Sequence, residues 1–167
     1  MKLFTVSIAL FATLSFSCTE KEFNPENNRI TKTVTADGVK RREILEFAKD
    51  HLGIPYKYGS SSPKGFDCSG FVNYVFKNFN IDVPRSSSGF ANFGETIKPD
   101  DFKVGDVLVF YGYRDRKSVG HVGIISEANG MQSKFIHASS GKEMAVIISD
   151  LGSKQYTGRF YKCVRVL

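Results

Sequence analysis

One cysteine and two histidines are the residues of this chain whose types and positions best suit catalysis. Cys68 stands where a loop rich in glycine and serine gives way to an amphipathic segment that predicts a helix. A sulfur in the first turn of a helix faces unpaired backbone N–H groups and the positive end of the helix dipole, and both favour the nucleophilic thiolate. The alternative is a buried, inert side chain, which is the commoner state of a single cysteine.

His121 and His137 each stand in an otherwise apolar segment that predicts a β-strand. His121 opens the run Gly120–Ile125, and His137 interrupts the run Phe135–Ala138. Either histidine alone is more often a hydrogen-bonded core residue. Two of them on neighbouring strands, beside a cysteine at a helix end, fit the arrangement of nucleophile, base and orienting residue. In this hypothesis Cys68 attacks, His121 takes and returns the proton, and His137 orients the ring of His121.

Other uses of these residues have less support in the sequence. The spacing of Cys68, His121 and His137 matches no compact structural zinc site, and no fourth ligand stands out. A thioredoxin-like redox centre would need a second cysteine close to Cys68, whereas Cys163 lies in a predicted strand and is interpreted as packing. His51 ends the first predicted helix and is interpreted as a surface residue. The chain carries no glycine-rich phosphate-binding motif, so a nucleotide-dependent enzyme is without support.

The elements that must position these residues are predicted to be two helices followed by strands. Asp37 is the predicted N-cap of the first helix, which Gly53 ends. The second helix follows Cys68, and its apolar residues share one face. Residues 82–103 predict a loop with at most one short helix. The predicted strands are Val107–Tyr111, His121–Ser126, Lys134–Ala138, Met144–Ser149 and Phe160–Val166. Helices first and antiparallel strands after them indicate an α+β domain.

Length and composition fit one globular domain. Of 167 residues, 41% are hydrophobic and 24% are charged, which argues against disorder, collagen or a coiled coil. Lysine and arginine exceed aspartate and glutamate by 23 to 17, for a net charge of +6. The basic residues form no cluster, so a polyanionic surface is a better partner than a specific nucleic-acid sequence. Three cysteines are too few, and odd in number, for a disulfide scaffold.

The N-terminal segment predicts export from the cytoplasm. Lys2 gives a short positive start, and Leu3–Phe16 is almost wholly apolar but shorter than the ~20 residues that span a bilayer. Residues 1–17 therefore predict a secretory signal peptide. The next residue, Cys18, makes the segment resemble a bacterial lipoprotein signal, although Ser15 stands where leucine is usual. The alternative is a plain secretory signal with an incidental cysteine.

Residues 18–36 predict a lipidated cysteine followed by a flexible tether. Charges of both signs, asparagines and a proline interrupt any hydrophobic pattern, so this segment cannot bury enough apolar surface to fold alone. Lipidation of Cys18 would anchor the mature chain to a membrane without spanning it. Residues 37–167 are then the catalytic domain, displayed in the bacterial periplasm or cell envelope.

A set of motifs in this domain resembles one known family. The motifs run in order through Gly53–Gly59, Ser62–Val72, Val83–Ser86, Gly105–Phe110, Gly120–Ile124 and Phe135–Ser139. Together they are similar to the NlpC-type family of bacterial cell-wall cysteine peptidases. The resemblance extends over roughly residues 39–166, and the order of the motifs makes it far more specific than any one of them.

The resemblance implies a papain-like α+β fold with the nucleophile at a helix N-terminus packed on an antiparallel sheet. By motif, Cys68 matches the nucleophile, His121 the base and His137 the third polar residue. Tyr56 matches the family tyrosine near the oxyanion site, where the backbone N–H of Cys68 is a second donor. Asp67 and Ser69 match residues that help to hold the free amine of the substrate in some relatives. Catalysis of this kind needs no cofactor or metal.

The resemblance also implies peptidoglycan stem peptides as the substrate. We expect the chain to act on them as a monomer. The bond most often cut in the family joins γ-D-glutamate to meso-diaminopimelate, whereas some short relatives cut the diaminopimelate–D-alanine cross-link. Ser60 replaces a usual glycine and Phe90 a frequent glutamine, and both are expected to line the cleft and affect specificity. Two alternatives are another reaction on the same scaffold, such as amidase or acyl-transfer chemistry, and a non-catalytic wall-binding lipoprotein.

Overall fold

The computed structural model describes residues 35–167 of the chain. The predicted signal peptide, Cys18 and the predicted tether up to residue 34 lie outside the described residues. Along the described part a helix, a short hairpin and a second helix come first, and six strands follow, with a third, short helix before the last strand. None of the helices in residues 35–167 combines the length and the apolar character needed to cross a membrane.

Helix α1 (Ala36–Lys49) starts slightly earlier than the sequence predicts. The prediction that Asp37 is the N-cap was wrong, because Thr35 caps the helix and its hydroxyl accepts a hydrogen bond of 3.1 Å from the N–H of Gly38. Asp37 lies in the first turn, where its carboxylate pairs with Arg41 at 2.9 Å. Thr35 and Ala36, which were assigned to the tether, therefore belong to the folded domain.

The turn that follows α1 carries His51 into the interior. Its side chain is buried, and its Nδ1 atom lies 2.8 Å from the carbonyl oxygen of Phe47. The rings of Phe47, Phe66 and Tyr74 surround it. The interpretation of His51 as a surface residue was wrong, since the chain turns back over the helix after Lys49 instead of continuing into solvent.

Two very short strands precede the second helix. Strands β1 (Ser61–Ser62) and β2 (Gly65–Phe66) form an antiparallel hairpin, and helix α2 (Cys68–Lys77) starts two residues after it. The amphipathic pattern of α2 is confirmed by its fully buried apolar residues, which are Phe71, Val72, Val75 and Phe76. The hairpin was predicted as loop because two residues are too few to show a strand pattern.

The remaining strands form one antiparallel sheet of six, in the spatial order β3-β8-β4-β5-β6-β7. They are β3 (Glu95–Ile97), β4 (Val107–Tyr111), β5 (Val119–Glu127), β6 (Lys134–Ala138), β7 (Val146–Asp150) and β8 (Phe160–Arg165). All five predicted strands are confirmed as elements, and the bounds of β4 and β6 are as predicted. The α+β class is thus confirmed for the described residues.

The differences from the predicted elements have local causes. Strand β7 begins at Val146, because Met144 has a φ of 47° and cannot continue an extended strand. Residues 82–103 contain two 3-10 helices and strand β3, where one short helix was expected. Strand β3 has only three residues, at the edge of the sheet, and helix α3 (Lys154–Thr157) has only four.

Strand β4 is buried on both faces of the sheet, and this explains its unbroken apolar run. Val107 and Val109 pack into the core beneath the two long helices, whereas Leu108 and Phe110 pack into a second core on the other face. A strand buried on both faces needs apolar residues at successive positions. The sheet is therefore held rigidly from both sides, and the residues it carries have fixed positions.

A buried carboxylate joins α1 to the start of β4 and the end of β8. Asp106 is fully buried, and its two oxygens pair with Arg41 at 3.0 Å and with Arg165 at 2.8 Å. The backbone N–H of Lys103 donates a further hydrogen bond of 3.0 Å to Asp106. These ion pairs fix helix α1 against the sheet. They involve residues that are distant in sequence from His121 and His137.

Candidate active site

Cys68 occupies the first position of helix α2, as predicted. Asp67 is the N-cap, and its carboxylate accepts a hydrogen bond of 2.6 Å from the N–H of Gly70. The Cys68 side chain is only 9% exposed, and its sulfur lies beside the backbone N–H groups of Val122, Ser69 and Cys68 itself. The N–H of Val122, the residue that follows His121, belongs to strand β5 and brings this strand next to the sulfur.

Gly70 lets the hairpin approach the start of α2 closely. A Cβ atom on Gly70 would lie 2.2 Å from the carbonyl oxygen of Ser60, which no side chain could tolerate without a backbone shift. That carbonyl accepts a hydrogen bond of 2.9 Å from the N–H of Asp67. Ser60, predicted to line the cleft, thus also helps to position the residue before Cys68. The small residue two positions after the cysteine is a requirement of this packing.

His121 and His137 are in direct contact across neighbouring strands. The Nε2 atom of His121 lies 2.9 Å from the Nδ1 atom of His137, and the two rings are perpendicular. Gly123 makes room for this pair, because a Cβ there would lie 2.9 Å from the Cβ of His137. On its far side His137 places Nε2 at 3.0 Å from the Ser149 hydroxyl and 3.4 Å from that of Tyr156.

Burial controls the protonation of both histidines. Aromatic side chains surround them, and the pKa of His121 falls well below its usual value because burial disfavours the imidazolium ion. Burial likewise lowers the pKa of His137 to about 3, and the guanidinium of Arg159 pushes in the same direction. Both rings are therefore neutral at physiological pH, which is the state that a general base needs.

The Cys68 thiol is also held in its neutral form. Burial is the largest influence and raises the pKa of Cys68, while the nearby N–H groups, led by that of Val122, lower it less strongly. The N–H groups of Ser69 and Cys68 at the helix start favour the thiolate, as expected, but desolvation of the sulfur is the larger effect and the net pKa of Cys68 is raised. The resting pair is a thiol beside a neutral imidazole.

Tyr56, Asp67 and Ser69 lie around Cys68, but two of them are already engaged. Burial raises the pKa of the Tyr56 phenol, and the charges of Cys68 and Asp67 raise it further by smaller amounts. The oxygens of Asp67 accept hydrogen bonds of 2.9 and 3.0 Å from Arg85 and one of 3.3 Å from Ser69. Arg85 belongs to the motif Val83–Ser86, but the sequence alone predicted no role for its side chain.

The structure changes the interpretation of Phe90 and adds two residues to the site. Phe90 is fully buried and its ring packs against Phe93, so the expectation that Phe90 lines the cleft was wrong. Ser149 and Tyr156 were not predicted, because a serine in an edge strand and a tyrosine in a four-residue helix carry no signal of their own. In residues 35–167 no group of three histidine, cysteine or acidic side chains is arranged to hold a metal ion.

This geometry matches one family of known proteins. The family model described as "NlpC/P60 family" matches residues 53–165, and the chain belongs to that family. The resemblance read from the motifs is therefore confirmed. A solved structure of an NlpC/P60 family protein from Bacillus cereus is similar with a TM-score of 0.67 and 28% identity, covering 76% of this chain and 40% of the other. The papain-like α+β fold is confirmed by this similarity.

Curated relatives carry the names of peptidases. One from Haemophilus influenzae, named "Probable endopeptidase", is 31% identical over 97% of this chain and 94% of its own length. The Bacillus subtilis "Gamma-DL-glutamyl hydrolase" is 34% identical over 71% of this chain but only 28% of its own length. The Escherichia coli "Murein DD-endopeptidase MepS/Murein LD-carboxypeptidase" is 34% identical over 77% of this chain and 64% of its own length.

Proposed function

We propose that this protein is a cysteine endopeptidase that hydrolyses peptide bonds in the stem peptides of peptidoglycan. The observation that supports this proposal is the arrangement of a helix-end thiol beside strand β5, whose buried, neutral His121 contacts the buried, neutral His137 of strand β6. A buried core histidine needs no second histidine to orient it, and an inert cysteine needs no backbone donors around its sulfur. Membership of a family with endopeptidase relatives supports the same reaction class.

In the proposed mechanism Cys68 and His121 act together on the bound peptide. The sulfur attacks the carbonyl carbon of the scissile bond as the thiol proton passes to Nδ1 of His121, the ring nitrogen that His137 does not engage. The carbonyl oxygen becomes an oxyanion, for which the N–H of Cys68 and the phenol of Tyr56 are the proposed donors. The histidine then protonates the leaving nitrogen, the C–N bond breaks, and an acyl-thioester remains on Cys68.

Water completes the proposed cycle. His121, neutral again, takes a proton from a water molecule that attacks the thioester carbonyl. The C–S bond breaks, the product leaves as a carboxylic acid, and the sulfur recovers its proton. His137 keeps the ring of His121 in place throughout and exchanges no proton with the substrate.

The proposed bond joins γ-D-glutamate to meso-diaminopimelate. The motif resemblance favours this bond, and the name of the Bacillus subtilis relative supports a γ-glutamyl linkage. The second candidate is the cross-link between diaminopimelate and D-alanine, which the name of the Escherichia coli relative favours. The two reactions leave different products, so a single digestion separates them.

The test is mass spectrometry of diaminopimelate-type peptidoglycan fragments after incubation with the protein and with its Cys68→Ala variant. New fragments that end in D-glutamate would support the first bond, and loss of cross-linked dimers alone would support the second. Binding without any cysteine-dependent product would overturn the proposal and favour a wall-binding protein. Release of ammonia or acyl transfer to an added amine would favour other chemistry on the same scaffold.

We also propose that the chain acts as a monomer outside the cytoplasm, anchored by a lipid on Cys18. The signal-like segment and the cysteine that follows it support this placement. Expression in a bacterial host with a labelled fatty acid should give labelled protein from the full chain and none from Cys18→Ser. If the signal peptide is removed from the chain with Cys18 intact but no fatty acid label is incorporated, the protein is secreted without a lipid anchor.

A further inference from the structure

A basic cleft opens beside His121. The cleft has a volume of about 850 Å³, and His121 lies in its wall together with the loops that follow strands β4 and β6. Cys68, Tyr56 and Asp67 do not line it. His121 therefore borders both the proposed reaction centre and a cleft that the proposed nucleophile does not line.

The charged groups of the cleft are predominantly cationic. Arg114, Lys142 and Arg159 line it, and the one acidic lining residue is Asp115. Asp115 is occupied locally, since its oxygens accept hydrogen bonds of 2.9 Å from the N–H of Lys117 and 2.7 Å from the Ser118 hydroxyl. The cleft thus presents an excess of positive charge that its own carboxylate does not neutralise.

Arg159 is built into the cleft as a fixed cation. The side chain is 5% exposed, and its guanidinium lies 5.4 and 5.6 Å from the ring centres of Tyr156 and Tyr113. Its Nε donates to the carbonyl of Gln155 and its Nη1 to that of Tyr111, at 3.3 and 3.2 Å. Nη2 has no hydrogen-bond partner among residues 35–167, and no buried polar side-chain atom there is left unpaired. Nη2 is therefore accessible, on a residue that lines the cleft.

The proposed proton transfer places one half of the substrate over this cleft. The nitrogen that leaves during cleavage must lie within hydrogen-bond distance of His121 to receive its proton. The acyl half stays attached to Cys68, so the atoms beyond the leaving nitrogen extend from His121 away from the sulfur. The basic cleft is the space that His121 lines and Cys68 does not.

We propose that this cleft binds a carboxylate of the leaving half of the substrate, with Arg159 as the buried anchor and Arg114 and Lys142 at the rim. This inference rests on the proposed peptidase function and specifies its substrate class. In a diaminopimelate-type stem the leaving half offers two such groups, the free carboxylate on the side chain of diaminopimelate and the C-terminal carboxylate. A planar guanidinium with a free edge suits either group.

The test measures equilibrium binding, so that it does not depend on turnover. The full chain carrying Cys68→Ala is titrated with a diaminopimelate tetrapeptide stem, and then with the same peptide amidated at one carboxylate or at the other. Amidation of the recognised carboxylate is expected to weaken binding by about 10- to 100-fold, as for loss of a charge-assisted hydrogen bond. The arm that loses affinity identifies which carboxylate the cleft holds.

Substitutions connect that difference to the cleft. In each of the variants Arg114→Gln and Lys142→Gln, the ratio of affinities for the free and the amidated peptide should fall severalfold. In Arg159→Gln this ratio should fall to about one. Lys117→Gln is the matched control, because it removes the same charge from the same loop without lining the cleft. The rim pair keeps the test valid if Arg159→Gln fails to fold.

Two results would overturn the inference without touching the proposed function. The first is equal affinity for all three peptides. The second is a preference for the free carboxylate that is as large in the Arg114→Gln and Lys142→Gln variants as in Lys117→Gln. Cleavage of the free stem by the unsubstituted chain is measured alongside. If the unsubstituted chain does not cleave the stem but still binds it in a carboxylate-dependent way, the proposed peptidase function is overturned and the cleft remains as a binding site.

Discussion

The Nε2 atom of His121 lies 2.9 Å from the Nδ1 atom of His137, and one of these two nitrogens must carry the shared proton. If Nδ1 of His121 is to accept a proton from Cys68, its Nε2 must be the donor and Nδ1 of His137 the acceptor. The Nε2 of His137 then carries a proton and donates it to the oxygen of Ser149 or Tyr156. The hydroxyl groups behind the second histidine can accept that hydrogen bond, so they are compatible with the tautomer that the mechanism requires.

Ser149→Ala is expected to lower kcat by about fivefold and to leave KM unchanged, because a neutral hydrogen bond contributes roughly 1 kcal/mol and this one acts through orientation. Tyr156 remains as a second, longer partner and limits the loss. Ser149→Thr keeps the hydroxyl and should restore most of the activity. Steady-state kinetics on a purified stem peptide checks this. A rise in KM with constant kcat would instead indicate that Ser149 contributes to substrate binding.

The raised pKa of Cys68 predicts how its reactivity changes with pH. Since burial disfavours the thiolate, alkylation by iodoacetamide should accelerate as the pH increases toward and beyond the ordinary thiol value of 9.0. Mass spectrometry of the modified peptide gives the rate at residue 68 separately from Cys163, which is buried among apolar residues. A rate that is already constant at neutral pH would mean that a thiolate–imidazolium pair exists in the free protein.

Much of the site could be predicted from the sequence, because its residues carry local signals. A cysteine at a loop-to-helix boundary and histidines in apolar strands are each visible within about ten residues of chain, as are their glycine neighbours. The support behind them could not be predicted. Ser149, Tyr156 and Arg159 reach the histidine pair only through sheet pairing and the turn of a four-residue helix. Such contacts depend on register between distant segments, which no local pattern records.

The same limit explains why the burial of His51 and the net charge state of Cys68 differ from what the sequence predicts. His51 looked like a surface residue because the helix pattern ends there, but the next turn folds it against aromatic rings. The helix dipole acting on Cys68 could be predicted from its position, whereas its burial depends on the sheet that packs over it. Desolvation is a property of the assembled fold, and at this site it is the larger effect.

Asp106→Asn is expected to lower the free energy of unfolding by about 3 kcal/mol, because it removes the buried carboxylate of Arg165 and leaves the buried Arg41 with only the exposed carboxylate of Asp37. Urea unfolding at neutral pH measures the change. Asp100→Asn is the control, since that carboxylate is exposed and its loss should alter stability by no more than about 0.5 kcal/mol. Equal effects of the two substitutions would show that the buried pairing contributes little.

The buried histidines predict a loss of stability in acid. The pKa of His137 is about 3 in the folded chain against an ordinary value of 6.5, so below pH 6.5 the unfolded state binds the proton that the folded state excludes. The unfolded state is therefore favoured increasingly as the pH falls from 6.5 toward 3, by up to about 5 kcal/mol for this residue. His137→Asn removes that titration, and the difference in unfolding free energy between the two proteins should narrow steadily over the same range. Parallel curves for the two proteins would show that His137 is protonated in the folded state.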